Sequence, residues 1–185
     1  MVEMNYEDVI MELAVLDAVC ESEEVELEIA IFGGAALLFH LGDAEFRGTR
    51  DIDFRVEKLN SREKLKTILD KTSGVFQLLS VFPEWPDQEV YLQHGTRYHE
   101  MDGVAFTNLR IFLPSIEMLA LSKLISKREK DLEDLKTKPI MEKCDLALLS
   151  QLVEEGESFF FNTSEFNFHE WDDILASRGI DWKRE

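Results

Sequence analysis

Residues 29–53, IAIFGGAALLFHLGDAEFRGTRDID, decide the fold of this 185-residue chain. The stretch opens with apolar residues, reaches the pair Gly33-Gly34 and continues as a short apolar helix predicted over Ala35–Leu41. After a polar connection it reaches Asp51-Ile52-Asp53, within a strand predicted over Arg50–Val56 where apolar and charged residues alternate. The stretch therefore predicts two strands connected by a glycine turn and a helix.

On both sides of this stretch the sequence predicts further helices and strands. The helices are a first one capped by Asn5, then Ser61–Thr72, a long one from Pro114 towards Leu135, and two near 146–153 and 171–178. The strands are Glu26–Phe32, Val75–Phe82, Glu89–Gln93, Arg97–Met101 and Val104–Phe112, the last two joined at Asp102-Gly103. We expect an α+β core over residues 1–112 and a helical part over 113–185, packed together as a single globular unit.

The amino-acid composition disfavours two classes of protein, generic nucleic-acid binders and membrane-spanning proteins. The net charge is −18, and residues 1–46 hold 12 acids without a single Lys or Arg. Because nonspecific binding of nucleic acid depends on Lys and Arg at phosphates, strong generic binding of DNA or RNA is not expected. No apolar run approaches the roughly 18 residues of a membrane span. Cys20 and Cys144 lie far apart without metal-ligand spacing, which favours reduced thiols in a cytoplasmic protein.

The glycine pair and the two aspartates form the most specific pattern. Period two puts Asp51 and Asp53 on one face of a strand, where they can share a divalent cation. A helix that follows Gly33-Gly34 offers free backbone N–H groups to a phosphate. Each part also has an ordinary interpretation, namely a tight turn and a solvated face neutralised by Arg55. A dinucleotide-binding turn is disfavoured because its three spaced glycines are missing.

Two blocks of sequence resemble a known superfamily. Residues 31–36, IFGGAA, with residues 47–53, RGTRDID, are similar to the polymerase-beta-type nucleotidyltransferases, specifically to the small bacterial proteins grouped with AbiEii-like toxins. Residues 119–124, LALSKL, and 127–135, KREKDLEDL, look like the second block of that family. The resemblance spans about residues 28–135. It implies a mixed-sheet nucleotidyltransferase fold with a helical C-terminal extension.

The resemblance also implies a set of site residues. It makes Asp51 and Asp53 catalytic ligands of Mg²⁺ or Mn²⁺ and assigns a nucleoside triphosphate to the site. The turn Gly33-Gly34, together with Arg47, Thr49 and Lys123, would then bind the nucleotide. Two departures from the family follow. Ala35 stands where many relatives carry Ser or Thr, and the third metal-binding carboxylate is not obvious, with Glu100 as the first candidate and Glu89 as the alternative.

The lysines of the second block have two interpretations. On a helical wheel Lys123 and Lys127 lie within the apolar stripe of the predicted helix. Lys123 could reach the site and neutralise triphosphate charge. Alternatively both stems lie over the core, and Lys127 pairs with Asp131 one turn later.

Two functions from different classes remain. The first is a Mg²⁺-dependent nucleotidyltransferase that moves a nucleoside monophosphate from a triphosphate to an acceptor hydroxyl, within a toxin-antitoxin or phage-defence system. The second is a weakly active or inactive binding module of the same fold that acts through a protein partner. The intact Asp51 and Asp53 favour the first, whereas Ala35 and the lack of an obvious third carboxylate favour the second.

Overall fold

The described residues divide into two compact units, one over residues 3–79 and 98–114 and the other from residue 115 onward. This computed structural model describes residues 3–79, 98–126, 128–159 and 168–180. The boundary predicted after residue 112, and the packing of the two parts as a single globular unit, stay predictions.

The first unit is built on a mixed sheet, as predicted from the sequence resemblance. The described strands are β1 (Leu27–Ile31), β2 (Ile52–Leu59), β3 (Phe76–Leu78), β4 (Tyr98–Glu100) and β5 (Leu109–Pro114). Their order across the sheet is β3-β2-β1-β5-β4. Strand β1 runs antiparallel to β2 and parallel to β5, while β3 is parallel to β2 and β4 is antiparallel to β5. The strand predicted over Glu89–Gln93 lies outside the described residues.

Helices α1 (Tyr6–Ser22), α2 (Gly33–Leu41) and α3 (Leu65–Asp70) complete this unit. The predicted cap of α1 is confirmed, because the Asn5 side chain accepts from the Asp8 N–H and the Asp8 carboxylate accepts from the Asn5 N–H. The apolar side of α1 is buried, as is one face of the three central strands. That strand face consists of Leu27, Ile29, Ile31, Ile52, Phe54, Leu109, Ile111 and Leu113.

Three element boundaries differ from the sequence prediction. Helix α2 begins at Gly33, two residues early, and the helix predicted from Ser61 opens as a 3-10 turn over Arg62–Lys64. Strand β5 begins at Leu109 instead of Val104, so Asp102-Gly103 does not join two strands directly. The reason is a contact from α1. The Asp17 carboxylate accepts from the backbone N–H groups of Thr107 and Asn108, which are then not available to a sheet neighbour.

The second unit is helical in its described parts. Its helices are α4 (Ile116–Ser126), α5 (Glu129–Thr137), α6 (Ile140–Lys143), α7 (Leu146–Phe159) and α8 (Phe168–Ser177). Helix α4 contacts α5, α6 and α7, and α8 contacts α5. The single helix predicted to run to Leu135 is interrupted, because Arg128 is extended and α5 begins after it. The core includes Leu119, Leu135, Leu149 and Trp171. Within the described residues no helix is long and apolar enough to cross a membrane.

Candidate active site

The two aspartates lie at the start of β2 on its polar face. Ile52 and Phe54 are fully buried on the opposite side, whereas Asp51 and Asp53 are half-buried. The alternation predicted from the sequence is confirmed. The carboxylates therefore share one face of the sheet, close to the point where the Phe32 N–H donates to the Asp53 carbonyl at 2.8 Å.

The glycine turn lies directly against this face. Gly33 has φ +60°, and a β-carbon there would be 2.6 Å from Asp53 Oδ2. A β-carbon on Gly34 would be 2.7 Å from Thr49 Oγ1. Both values are below any normal contact, so neither position accepts a side chain without displacing its neighbour. The absent side chains thus bring the start of α2 onto the acidic strand.

The start of α2 offers backbone donors. Its N-cap is Phe32, whose side chain cannot accept a hydrogen bond, and the first N–H groups of a helix have no intrahelical acceptor. Those groups belong to Gly33, Gly34 and Ala35. Such a helix start attracts an anion through its N–H groups and its dipole.

Thr49 and Arg47 lie on the connection that leads to β2. Thr49 is 3% exposed, and its hydroxyl donates to the Asp51 carbonyl at 3.0 Å. The structure thus gives this hydroxyl a backbone acceptor, and the predicted nucleotide contact of Thr49 stays a prediction. The Arg47 guanidinium lies over the Phe46 ring, 5.2 Å from its centroid, and donates to the Gly48 carbonyl at 3.2 Å. Its predicted nucleotide contact stays a prediction.

Glu100 is not brought to the aspartates. It lies on β4, and the sheet order puts β1 and β5 between that strand and β2. Three strand spacings amount to about 14 Å, which is too far for a shared cation. The prediction that Glu100 is the third metal ligand is therefore corrected. The alternative, Glu89, lies outside the described residues.

Glu100 belongs instead to an ion-pair ladder on the polar face of four strands. Its carboxylate accepts from Arg110 Nε at 3.1 Å and Nη2 at 2.9 Å, and these hydrogen bonds lower the pKa of Glu100. Arg110 also contacts Glu28 at 3.2 Å, and Glu28 in turn contacts Lys58 at 3.3 Å. We call these four side chains the charge ladder. Its members are largely exposed at the basic end groups, so it contributes little to stability.

Arg55 and Glu57 continue the face that carries the aspartates, and sequence analysis assigned them no site role. Arg55 Nε donates to Glu57 at 2.6 Å, and its guanidinium lies 5.5 Å from the Phe32 ring centroid and 5.7 Å from that of Tyr98. The period-two pattern from Asp53 onward was the signal that could have found them. Arg55 is thus fixed beside the residue that precedes the glycine turn.

Lys123 forms a buried ion cluster in the second unit. It is 6% exposed, and its ammonium group contacts Asp131 at 2.6 Å and Asp134 at 2.8 Å. Burial raises the pKa of Asp131, but hydrogen bonds from Lys123, Ser126 and Arg128 outweigh burial and lower it overall. These pairs explain why a lysine lies in an apolar stripe. The predicted phosphate contact of Lys123 stays a prediction, and residue 127 lies outside the described residues.

The acidic face fits a metal that arrives with phosphate oxygens. In the described part of the chain, no group of three or more His, Cys, Asp or Glu side chains could hold a metal ion. Mg²⁺ commonly takes one or two carboxylates and completes its octahedron with substrate phosphates and water. Asp51 and Asp53 beside an anion-attracting helix start satisfy that requirement, whereas they are too few to form a closed protein site.

A family model described as nucleotidyltransferase of unknown function (DUF6036) matches residues 8–183. The chain belongs to this family. Family membership confirms the nucleotidyltransferase superfamily predicted from the two sequence blocks, and the AbiEii-like assignment within it stays a prediction.

One solved structure is similar to this member of the family. It is the crystal structure of an antigenic nucleotidyltransferase-like protein from Paracoccidioides brasiliensis, with 16% identity and a TM-score of 0.47. The match covers 86% of this chain and 94% of that one. No curated protein matches the chain.

Proposed function

We propose that the chain is a metal-dependent nucleotidyltransferase that moves a nucleoside monophosphate from a nucleoside triphosphate to an acceptor hydroxyl. One observation carries the proposal, the contact of the glycine turn with the acidic strand. Because a β-carbon at Gly33 would be 2.6 Å from Asp53 Oδ2, an anion at the start of α2 lies beside a carboxylate unless a cation separates them. A metal-bound triphosphate supplies both charges at once.

The proposed reaction uses few groups. The acceptor oxygen forms a bond to the α-phosphorus, and the bond from that phosphorus to the bridging oxygen breaks. Pyrophosphate leaves with the bonding electron pair, and the proton of the acceptor hydroxyl passes to solvent water. Asp51 and Asp53 hold Mg²⁺ or Mn²⁺, which when bound neutralises phosphate charge. The N–H groups of Gly33 and Gly34 bind phosphate oxygens, and Arg47 adds a positive charge. Catalysis in this class is mostly positioning and charge stabilisation.

Calorimetry tests the proposal directly. A nucleoside triphosphate should bind in the presence of Mg²⁺ or Mn²⁺, and chelation or Asp53→Asn should abolish binding. Asp70→Asn is the matched control, because Asp70 is an exposed acid at the end of α3 in the same unit. Equal affinity with and without chelator would overturn the metal role. Incubation with labelled triphosphates and cell extract would then identify reaction and acceptor together.

We propose that the acceptor is a hydroxyl on a neutral or basic protein, or a cationic small molecule. The net charge of −18 supports this, because long-range repulsion opposes a polyanionic acceptor. A gel shift with total transfer RNA at about 0.15 M salt checks the proposal. Weak binding is expected, and submicromolar binding would reverse it.

We also propose an AbiEii-like relationship and a role in a toxin-antitoxin or phage-defence system, acting in the cytoplasm. The support is the resemblance of residues 31–36, 47–53, 119–124 and 127–135, together with two free cysteines. Induced expression in a bacterial host should slow growth, and Asp53→Asn should relieve the effect. Equal growth with both proteins would argue against a toxin.

An inactive binding module is the second candidate. It is favoured by Ala35, which has no hydroxyl for a phosphate, and by the two-carboxylate set within the described residues. Under this alternative a triphosphate binds without turnover, and no acceptor is labelled in extract. A partner protein that is pulled down by both the unmodified chain and Asp53→Asn would then distinguish the binding module from the enzyme.

A further inference from the structure

Thr49 connects three separate segments of the first unit. Its backbone pairs with Met4, with the Met4 N–H donating at 2.6 Å and the Met4 carbonyl accepting at 3.0 Å. Its side chain lies against Gly34, and its hydroxyl donates to the Asp51 carbonyl at 3.0 Å. The residue therefore contacts the N-terminal segment, the glycine turn at Gly33-Gly34 and the residue before β2 at once.

The contacts leave Thr49 little freedom. A β-carbon on the preceding residue, Gly48, would be 2.8 Å from the Met4 carbonyl oxygen. The N-terminal segment therefore packs closely against the backbone just before Thr49. On the other side of Thr49 lies Gly34, where an added methyl group would displace the Thr49 hydroxyl. Thr49 itself is buried. The chain from residue 48 to residue 51 is thus held from two directions.

We propose that Thr49 is a positioning residue that sets the backbone of Asp51, and through it the metal-binding carboxylates, relative to the turn at Gly33-Gly34. The inference rests on the proposed function. A hydroxyl that donates to the Asp51 carbonyl restrains the peptide that leads into Ile52 and Asp53. Since a displacement of about 1 Å can reduce a reaction by around a hundredfold, such a restraint has a measurable effect.

Thr49 acts on the nucleotide only through these residues. Its hydroxyl hydrogen is committed to a backbone carbonyl, and the side chain is covered by Gly34 on the side of the turn. A nucleotide ligand would instead need an exposed donor. A positioning residue and a direct nucleotide ligand predict different dependences of triphosphate affinity on Mg²⁺ concentration. This difference makes the inference testable.

The experiment compares Thr49→Val, which keeps the shape and loses the hydrogen bond, with Thr49→Ser, which keeps the hydroxyl. Triphosphate binding is measured by calorimetry across a series of Mg²⁺ concentrations. Thr49→Val should raise the Mg²⁺ concentration at half-saturation about tenfold, while Thr49→Ser stays within about twofold of the unmodified chain. Thr72→Val is the matched control, because the Thr72 hydroxyl donates to the Leu69 carbonyl at 2.8 Å away from this face.

A second full-length variant keeps the inference falsifiable if Thr49→Val does not fold. Met4→Pro removes the N–H that donates to Thr49 and leaves every residue of the acidic face in place. It should shift the Mg²⁺ dependence in the same direction, by a smaller factor. Unchanged Mg²⁺ dependence in Met4→Pro then overturns the inference.

Two further outcomes would overturn it. The first is unchanged Mg²⁺ dependence in Thr49→Val, and the second is an affinity lost equally at every Mg²⁺ concentration, which makes Thr49 a direct ligand. Failure of the proposed function looks different, because the unmodified chain then shows no metal-dependent binding at all. In that case both proposals are wrong. If metal-dependent binding is instead lost in Asp53→Asn but unchanged in Thr49→Val, only the proposal for Thr49 is wrong.

Discussion

Gly33 and Asp53 are in a contact that only a residue without a side chain permits. The α-carbon of Gly33, at φ +60°, faces Asp53 Oδ2 with no space for a methyl group between them. The absence of a β-carbon on Gly33 therefore lets the helix start that would bind phosphate lie directly against the carboxylate that would bind metal.

Gly33→Ala tests whether the contact between Gly33 and Asp53 affects triphosphate binding beyond its effect on the free energy of unfolding. The positive φ costs about 1–2 kcal/mol for any side chain, and the new methyl must push the Asp53 carboxylate aside. Gly74→Ala is the matched control, since Gly74 has φ +78° and open space where the β-carbon would stand. We expect both variants to lose unfolding free energy, with the larger loss in Gly33→Ala because of the added contact with Asp53, measured by urea denaturation. Metal-dependent triphosphate affinity should fall about tenfold or more only in Gly33→Ala. Equal affinity in the two would show that the Gly33 contact has no role in binding.

Glu100→Gln tests the corrected ligand set. Because Glu100 pairs with Arg110 at an exposed end of the charge ladder, its loss should change the free energy of unfolding little, and the effect should diminish further in high salt. Metal-dependent triphosphate binding should stay within about twofold of the unmodified chain. A loss comparable to that of Asp53→Asn would restore Glu100 as a metal ligand.

Lys123→Met should destabilise the second unit. Removing the lysine leaves Asp131 and Asp134 buried without their shared cation, and breaking a buried pair costs about 3–5 kcal/mol. Thermal unfolding measures the loss, and adding Asp134→Asn should recover part of it. Lys58→Met, at an exposed pair, is the control and should cost less than about 1 kcal/mol. Unchanged stability with weakened triphosphate binding would instead support a phosphate role for Lys123.

Stability should decline in alkali because of Cys20. Burial, with a smaller contribution from Asp17, raises the pKa of Cys20 to about 11, whereas an unfolded cysteine has a pKa of about 8.5. The folded chain therefore holds a proton that the unfolded chain releases. This contribution is complete below pH 8.5 and is lost as pH rises through about 11. Urea midpoints at pH 8 and pH 10, measured in a Cys144→Ala background, check the direction. A midpoint that does not fall would contradict it.

The sequence predicted local structure well and long-range pairing poorly. Alternation alone put Asp51 and Asp53 on one face, and the Asn5 cap follows from a pattern that spans four residues, from Asn5 to Asp8. Glu100 was misplaced because the sheet order depends on pairings that no local pattern contains, such as β1 with β5. The burial of Lys123 was visible on a helical wheel, but its partners lie on the next helix, beyond a break that the periodicity did not reveal.

The central position of β1 also has a consequence during synthesis. One of its neighbours, β2, is complete within about 30 residues, but β5 ends only at Pro114. Until that residue leaves the ribosome, β1 presents an unpaired edge that includes the apolar residues Leu27, Ile29 and Ala30. Such an edge is a site of aggregation in a nascent chain. Chains that stall between residues 60 and 108 should therefore depend most on chaperones that shield open strands.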